Sequence, residues 1–247
     1  MPCRCLRDNK VRGDIMSFGK CSVCDSDVLY NVESREMKCA VCGKVQKTNI
    51  WCASDHFVCS ECCAKDVMDS LKREAFGVTL KNPVDVAEFL MAKCGFSGHT
   101  PHVTAVVSLL VALRNVTGKI TDDDIREGFR RGYEIPAGWC GYYGSCGAGV
   151  AVGTAFSIAL GATPQSDKER SIANFATSVV LKSIAKLGGP CCCVASVRAA
   201  MKEAVSLFEK YLGITFPPSE RSGKCWASAR QAGCRKERCR FFESVNN

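Results

Sequence analysis

Histidine is scarce in this chain, three residues in 247, and no apolar stretch is long enough to span a membrane. The longest, Val103 to Leu113 and Ala148 to Leu160, fall short of the roughly 18 residues a spanning helix requires and read as buried helices. There is no G-x-x-x-x-G-K-[ST] loop. The run from Gly147 to Gly153 has the wrong glycine spacing for a dinucleotide fingerprint and follows no strand, so the common nucleotide-binding frames are excluded. A C-x3-C-x2-C radical-SAM signature is also missing. The opening residues carry Arg4, Arg7, Lys10 and Arg12 without an apolar run, which predicts no export signal and a reducing, cytoplasmic setting.

Cysteine is abundant instead. Nineteen Cys stand in a chain that is 47% hydrophobic and 23% charged, ordinary values for a soluble globular protein with a real core. Such a chain needs no disulfide staples, and in a reducing compartment clustered Cys points to metal or thiol chemistry. The net charge of +8 counts every Cys as neutral, and metal–thiolate sites would take away much of that surplus. Charge alone is therefore a weak argument for nucleic acid.

The N-terminal ligand types run C-x2-C-x14-C-x2-C-x9-C-x3-H-x2-C-x2-C, through Cys21, Cys24, Cys39, Cys42, Cys52, His56, Cys59 and Cys62. A C-x2-C turn lets two sulfurs reach one ion, so four pairs make two tetrahedral zinc sites. A sequential arrangement would join the first four residues and the last four. A cross-braced one would join Cys39 and Cys42 with Cys59 and Cys62, leaving Cys21, Cys24, Cys52 and His56; the likeness of Cys39 to Cys62 to the first ligand pairs of a RING finger favours it. Val28 to Glu33 and Arg35 to Lys38 read as short hairpin strands. Cys3, Cys5 and Cys63 are not expected to be ligands. The expected fold is a small zinc-finger domain (zinc-ribbon or treble-clef-like, short hairpins) at 21–65, after a basic tail at 1–20, followed by an all-α helical domain at 66–247.

That helical domain is read from its caps and stripes. Asn82 with Pro83 opens a helix to about Cys94, and Thr121 with Asp124 opens one to about Tyr133. Ser166 with Glu169 reads as a capping box for a helix to about Leu187. Val194, Val197, Met201, Ala204, Val205, Phe208 and Leu212 form one helical stripe. Three further cysteine groups lie there: Cys140 and Cys146 in a glycine-rich loop, Cys192 and Cys193 after Pro190 and Cys191, and Cys225, Cys234 and Cys239 in a basic tail read as solvated. Their spacings are not zinc knuckles, and ligands drawn from distant loops suit an iron–sulfur cluster. These seven cysteines are expected to share one pocket, with Cys146 and Cys193 at helix starts where amides and dipole favour thiolate. Seven exceeds the four that one cluster uses, which leaves either a second site or a free nucleophile. His99 and His102 lie at the mouth of the apolar helix; a lone loop histidine is usually solvated, but two in four residues point to a role, and His102 is the candidate proton donor or non-cysteine ligand.

Several motifs together, C-G-x-x-G-x-C-G-A-G at Cys140 to Gly149, A-T-P at Ala162 to Pro164, P-x-C-C at Pro190 to Cys193 and C-x8-C-x4-C-x-F-F at Cys225 to Phe242, resemble domain of unknown function 5714. That family comprises cysteine-rich proteins of archaea and anaerobic bacteria. The resemblance implies that His102, Cys140, Cys146, Cys192, Cys193, Cys225, Cys234 and Cys239 are the shared positions. Val194 and Ala195 stand where the family usually carries basic residues, which argues against anion binding by that turn. The expected protein holds two zinc ions and a [4Fe–4S] cluster used for anaerobic sulfur transfer or redox chemistry, with Cys146 and His102 as candidate catalytic residues. Its partner is a small-molecule or protein substrate. The alternatives are a zinc-finger module for nucleic acid or protein, with nucleic acid disfavoured by the acidic residues Asp25, Asp27, Glu33 and Glu36, or a metal or sulfur trafficking protein.

Overall fold

The computed structural model describes residues 21–221, 225–229 and 234–242; the basic tail with Cys3 and Cys5 lies outside them. The described residues form two compact units, the first ending at Cys59 and the second starting at Ser60.

In the first unit, β1 (Val28–Lys38) and β2 (Val45–Cys52) pair antiparallel, Val28 opposite Cys52 and Lys38 opposite Val45. The two short strands expected before Cys39 are therefore halves of one strand, and its partner follows the second knuckle. Between Tyr30 and Arg35 the register breaks. Asn31 Nδ2 closes the gap by donating to the Asn49 carbonyl at 3.2 Å, and Asn49 Nδ2 returns a bond to Val32 O at 3.1 Å. The buried apolar side chains here are Cys21, Cys39, Cys52, Phe57 and Cys59. One phenylalanine among four thiols is too little to hold a fold, so the cohesion of this unit must come through its sulfurs.

The second unit is helical: α1 (Ser60–Ala75), α2 (Pro83–Cys94), α3 (Thr100–Thr117), α4 (Asp122–Tyr133), α5 (Trp139–Tyr142), α6 (Gly147–Leu160), α7 (Lys168–Ala185) and α8 (Cys193–Leu212). Caps set the starts. Asn82 Oδ1 accepts from Val84 N at 2.8 Å, and Thr121 and Asp124 form the reciprocal box that opens α4. The Ser166–Glu169 box does not form: Ser166 Oγ instead accepts from Thr163 N at 3.0 Å, closing a turn, and Asp167 caps α7 without a side-chain bond.

At the centre stands α3, buried on every side from Thr100 to Leu113 and packed against α1, α2, α4, α6 and α8. Each fully buried Leu or Val of this helix contributes about 1.5–3 kcal/mol by leaving water. The chain from α2 to α8 is tied by a buried ion pair, Arg198 Nη2 donating to Glu88 Oε2 at 2.8 Å, with Trp226 Nε1 donating to the same oxygen at 2.7 Å. A lone buried charge would be costly, but here the carboxylate is met by both a guanidinium and an indole.

Candidate metal centres

Eight side chains of the first segment gather into two groups: Cys21, Cys24, Cys52 and His56, and Cys39, Cys42, Cys59 and Cys62, with the ligand atoms of each within 4.8 Å of one another. This is the interleaved pairing, not the sequential one. Pairing of β1 with β2 explains it. Val28 lies opposite Cys52, so the strand partners carry the knuckle before β1 to the end of β2. The sulfurs of Cys24 and Cys52 are 3.7 Å apart, as are those of Cys42 and Cys59. A tetrahedral ion with metal–sulfur bonds of about 2.3 Å has an edge of about 3.8 Å, so the donor type and spacing both fit one divalent ion per group.

The electrostatics favour thiolate at Cys24, Cys39 and Cys52, whereas burial pushes the Cys21 thiol up. The hydroxyl and amide of Ser26 and the His56 ring bring the Cys24 thiol down to about 5. Burial opposes ionisation at Cys39, yet amides from Cys42, Cys59 and Val41 overcome it and bring that thiol down to about 6. His56 is pushed up by its hydrogen bonds to Cys24 and Cys52. Cys63 points elsewhere, contacting Ser97 Oγ at 3.0 Å.

In the helical unit the cysteines fall into two sets of contacts. Cys146 caps α6, and Cys192 caps α8 in extended backbone (φ −137°, ψ 104°). Side chains of an extended chain alternate in direction, and Cys191 to Cys193 divide accordingly. Cys191 Sγ lies 3.7 Å from Cys140 Sγ, bonds to Cys193 and feels the charge of Cys146. Cys192 faces the other way. With Cys225 and Cys239 it packs around Ala195, Ala199 and Phe241, and it interacts electrostatically with both cysteines and with Arg235. Cys234 receives the Lys236 amide at 3.4 Å. Among the described residues, no three thiols of this unit approach one another as closely as the first two groups do.

Proton affinity also departs from expectation. Burial pushes the Cys146 thiol up, against the pull of the Ala148 amide and the Ser196 hydroxyl. Cys140 is raised by its bond to Cys191 and by burial. The helix starts supply amides as expected, but desolvation outweighs them. A cation among these sulfurs would reverse that balance.

His102 lies in the core. Its Nδ1 is 3.0 Å from Ile135 O; a carbonyl only accepts, so Nδ1 carries the proton. Burial holds the ring below its usual range, so it is neutral with Nε2 bare, an acceptor or base and not a donor. The ring abuts Gly147, where a Cβ would stand 2.4 Å from Cε1. His102 thus sets the amino end of α6 beside Cys146. His99 is buried too, in an edge contact with Tyr133 at 4.4 Å between centroids.

Two participants escaped the sequence reading. Cys191 occupied the variable position of P-x-C-C, although period-two alternation before a helix would have aligned it with Cys193. Arg235 was taken for part of a solvated charged tail. It is buried, and its Nη1 donates to Leu187 O and Gly188 O at 2.6 Å each.

No helix of the described residues is long and apolar enough to cross a membrane. A comparison with curated proteins and with solved structures gives no match. A family model does: the family of unknown function DUF5714 matches residues 71–242, a span that holds α2 to α8 and every cysteine of the helical groups. The chain belongs to the DUF5714 family, and its N-terminal Cys/His groups precede the matched region.

Proposed function

We propose that this is a zinc- and iron–sulfur-binding protein of a reducing cytoplasm, whose helical unit carries out sulfur transfer or redox chemistry on a small-molecule or protein substrate. The observation that carries the reading is the gathering of Cys140, Cys146, Cys191 and Cys193 at the starts of α6 and α8. Cys140 and Cys191 are exposed, whereas Cys146 and Cys193 are half-buried. A site with two sheltered and two open thiols can hold a cluster and still admit a substrate. The Cys140 and Cys191 sulfurs are close, but among the described residues no three thiols of the group draw together as the N-terminal ligands do, which suits a polynuclear centre better than a single ion. When bound, such a cluster supplies a Lewis-acidic iron or an electron store.

The chain's own groups then have defined tasks. The Ala148 and Gly149 amides lie where they favour the charged form of Cys146 and would stabilise its thiolate. His102 Nε2 offers a neutral base behind Gly147. The two N-terminal groups are structural zinc sites, closed by four protein ligands each.

The test is Cys146→Ser in anaerobically purified protein. Loss of part of the visible absorption and of the iron of one centre, with both zinc ions and helical circular dichroism retained, supports the reading. Full retention of colour in the variant contradicts it.

A second reading, in which the N-terminal unit docks a protein, draws on its exposed apolar residues. Val32 is 96% exposed, and Tyr30, Val41 and Val45 are also open. Replacing Val32 and Val41 by Ser would abolish partner capture under that reading while leaving iron content unchanged.

A further inference from the structure

We infer that Cys192, Cys225 and Cys239, together with Cys234, hold a second metal centre separate from that of Cys140, Cys146, Cys191 and Cys193. Cys192 stands in extended backbone just before the first turn of α8, where successive side chains alternate in direction. The peptide of the α8 start thus stands between two thiol groups. Cys192, Cys225 and Cys239 pack on a common apolar patch of Ala195, Ala199 and Phe241, so three half-buried sulfurs from separate segments converge there.

A second observation points to negative charge at this place. Arg235 is only 5% exposed, its Nε is buried with no hydrogen-bond partner, and no carboxylate pairs with it among the described residues. The Leu187 and Gly188 carbonyls take its Nη1 but supply only partial charge. A buried guanidinium without a counter-ion is costly, and a thiol lies within its electrostatic reach: Arg235 acts on Cys192. Arg198, 5% exposed, also interacts with Cys225 and Cys239. Arg198 is already met by Glu88, so the buried cation left for an anionic metal–thiolate centre is Arg235. By its place in the chain beside Arg235, Cys234 is the donor assigned to the fourth position.

The sulfurs are spread too widely for the edge of one tetrahedral ion, so the centre is a cluster. Its iron–sulfur identity rests on the function proposed above, whereas its separateness from the first site does not. Phe241 lies over this group, with the Arg198 and Lys202 cations at 5.6 and 5.4 Å from its ring centroid. The second centre is therefore the shielded one, suited to structural or electron-storing use, and the first is the open one.

Thiol alkylation of the anaerobically purified full chain, read by mass spectrometry, tests the division whatever the metal. In Cys239→Ser, Cys192 and Cys225 should become reactive while Cys140, Cys146, Cys191 and Cys193 stay protected. In Cys140→Ser the exposure should be confined to Cys146, Cys191 and Cys193. Arg235→Gln keeps every thiol and should raise the chelator-driven exposure of Cys192 and Cys225 by about tenfold, the usual cost of a lost supporting contact at a metal site. The proposal is overturned if either cysteine variant exposes both groups in a chain with intact helical circular dichroism. It is equally overturned if Cys192 and Cys225 react as fast in the wild type as in Cys239→Ser. Should Cys239→Ser unfold, an Arg235→Gln protein with unchanged exposure decides against it.

Discussion

Cys24 and Cys52, 28 residues apart in the chain, hold their sulfurs at 3.7 Å. That contact exists because β1 and β2 pair, so the same hydrogen bonds that build the hairpin also assemble the ligands. Conversely, a metal in each group would fasten both ends of the hairpin, replacing the apolar core this unit lacks.

Interleaving has a direct consequence for Cys21→Ser. The thiols that gain reactivity should be Cys24 and Cys52, while Cys39 and Cys42 stay protected in their own group. Alkylation mapped by mass spectrometry checks this; reaction at Cys39 and Cys42 in step with Cys24 would mean sequential pairing.

Gly147→Ala should destabilise the helical unit by about 1–3 kcal/mol, the usual range for overpacking a dense site. The added carbon would stand 2.4 Å from the His102 ring, and that ring is held by Ile135 and cannot swing aside freely. Denaturant titration measures the loss. Gly141→Ala, where nothing lies within 4 Å of the added carbon, is the control and should change stability little.

The histidine also sets a pH response. Burial lowers the His102 pKa in the folded chain, so the unfolded chain binds its proton first as the solution is acidified. The contribution to stability is full above the unfolded value of about 6.5 and declines as pH falls below it. His99 is lowered by burial as well and acts in the same direction. Denaturation midpoints taken at pH 7.5 and pH 5.5 should therefore fall with acidification, and His102→Gln should reduce the fall.

Asn82→Ala removes the cap of α2 and a 2.7 Å bond from Asn82 Nδ2 to the Pro217 carbonyl. Losing a cap costs about 1 kcal/mol, and losing the second hydrogen bond adds to it. A loss of about 1–3 kcal/mol by thermal unfolding is expected, whereas Thr121→Ala, a cap in a more exposed position, should cost less.

Features written in short stretches of chain were readable beforehand. Asn82 with Pro83 and Thr121 with Asp124 open their helices where expected because a cap is a contact between near neighbours. Even so, Ser166 shows the limit of such reading, since Thr163 competed for the same hydroxyl. The β1 partner was missed because Val45 to Cys52 carries no clean alternation, and only long-range pairing reveals it. Orientation was the hardest to read. Whether Cys192 faces Cys193 or Cys225 depends on one backbone conformation, and the burial of Arg235 depends on where α7 ends. Neither leaves a trace in spacing.

The most direct test of the account is metal analysis of the anaerobically purified chain, with iron, zinc and acid-labile sulfide counted per polypeptide alongside the absorption spectrum. The account predicts brown protein with two zinc ions and iron and sulfide amounting to at least one four-iron cluster. Colourless protein that takes up no iron after anaerobic reconstitution would contradict it.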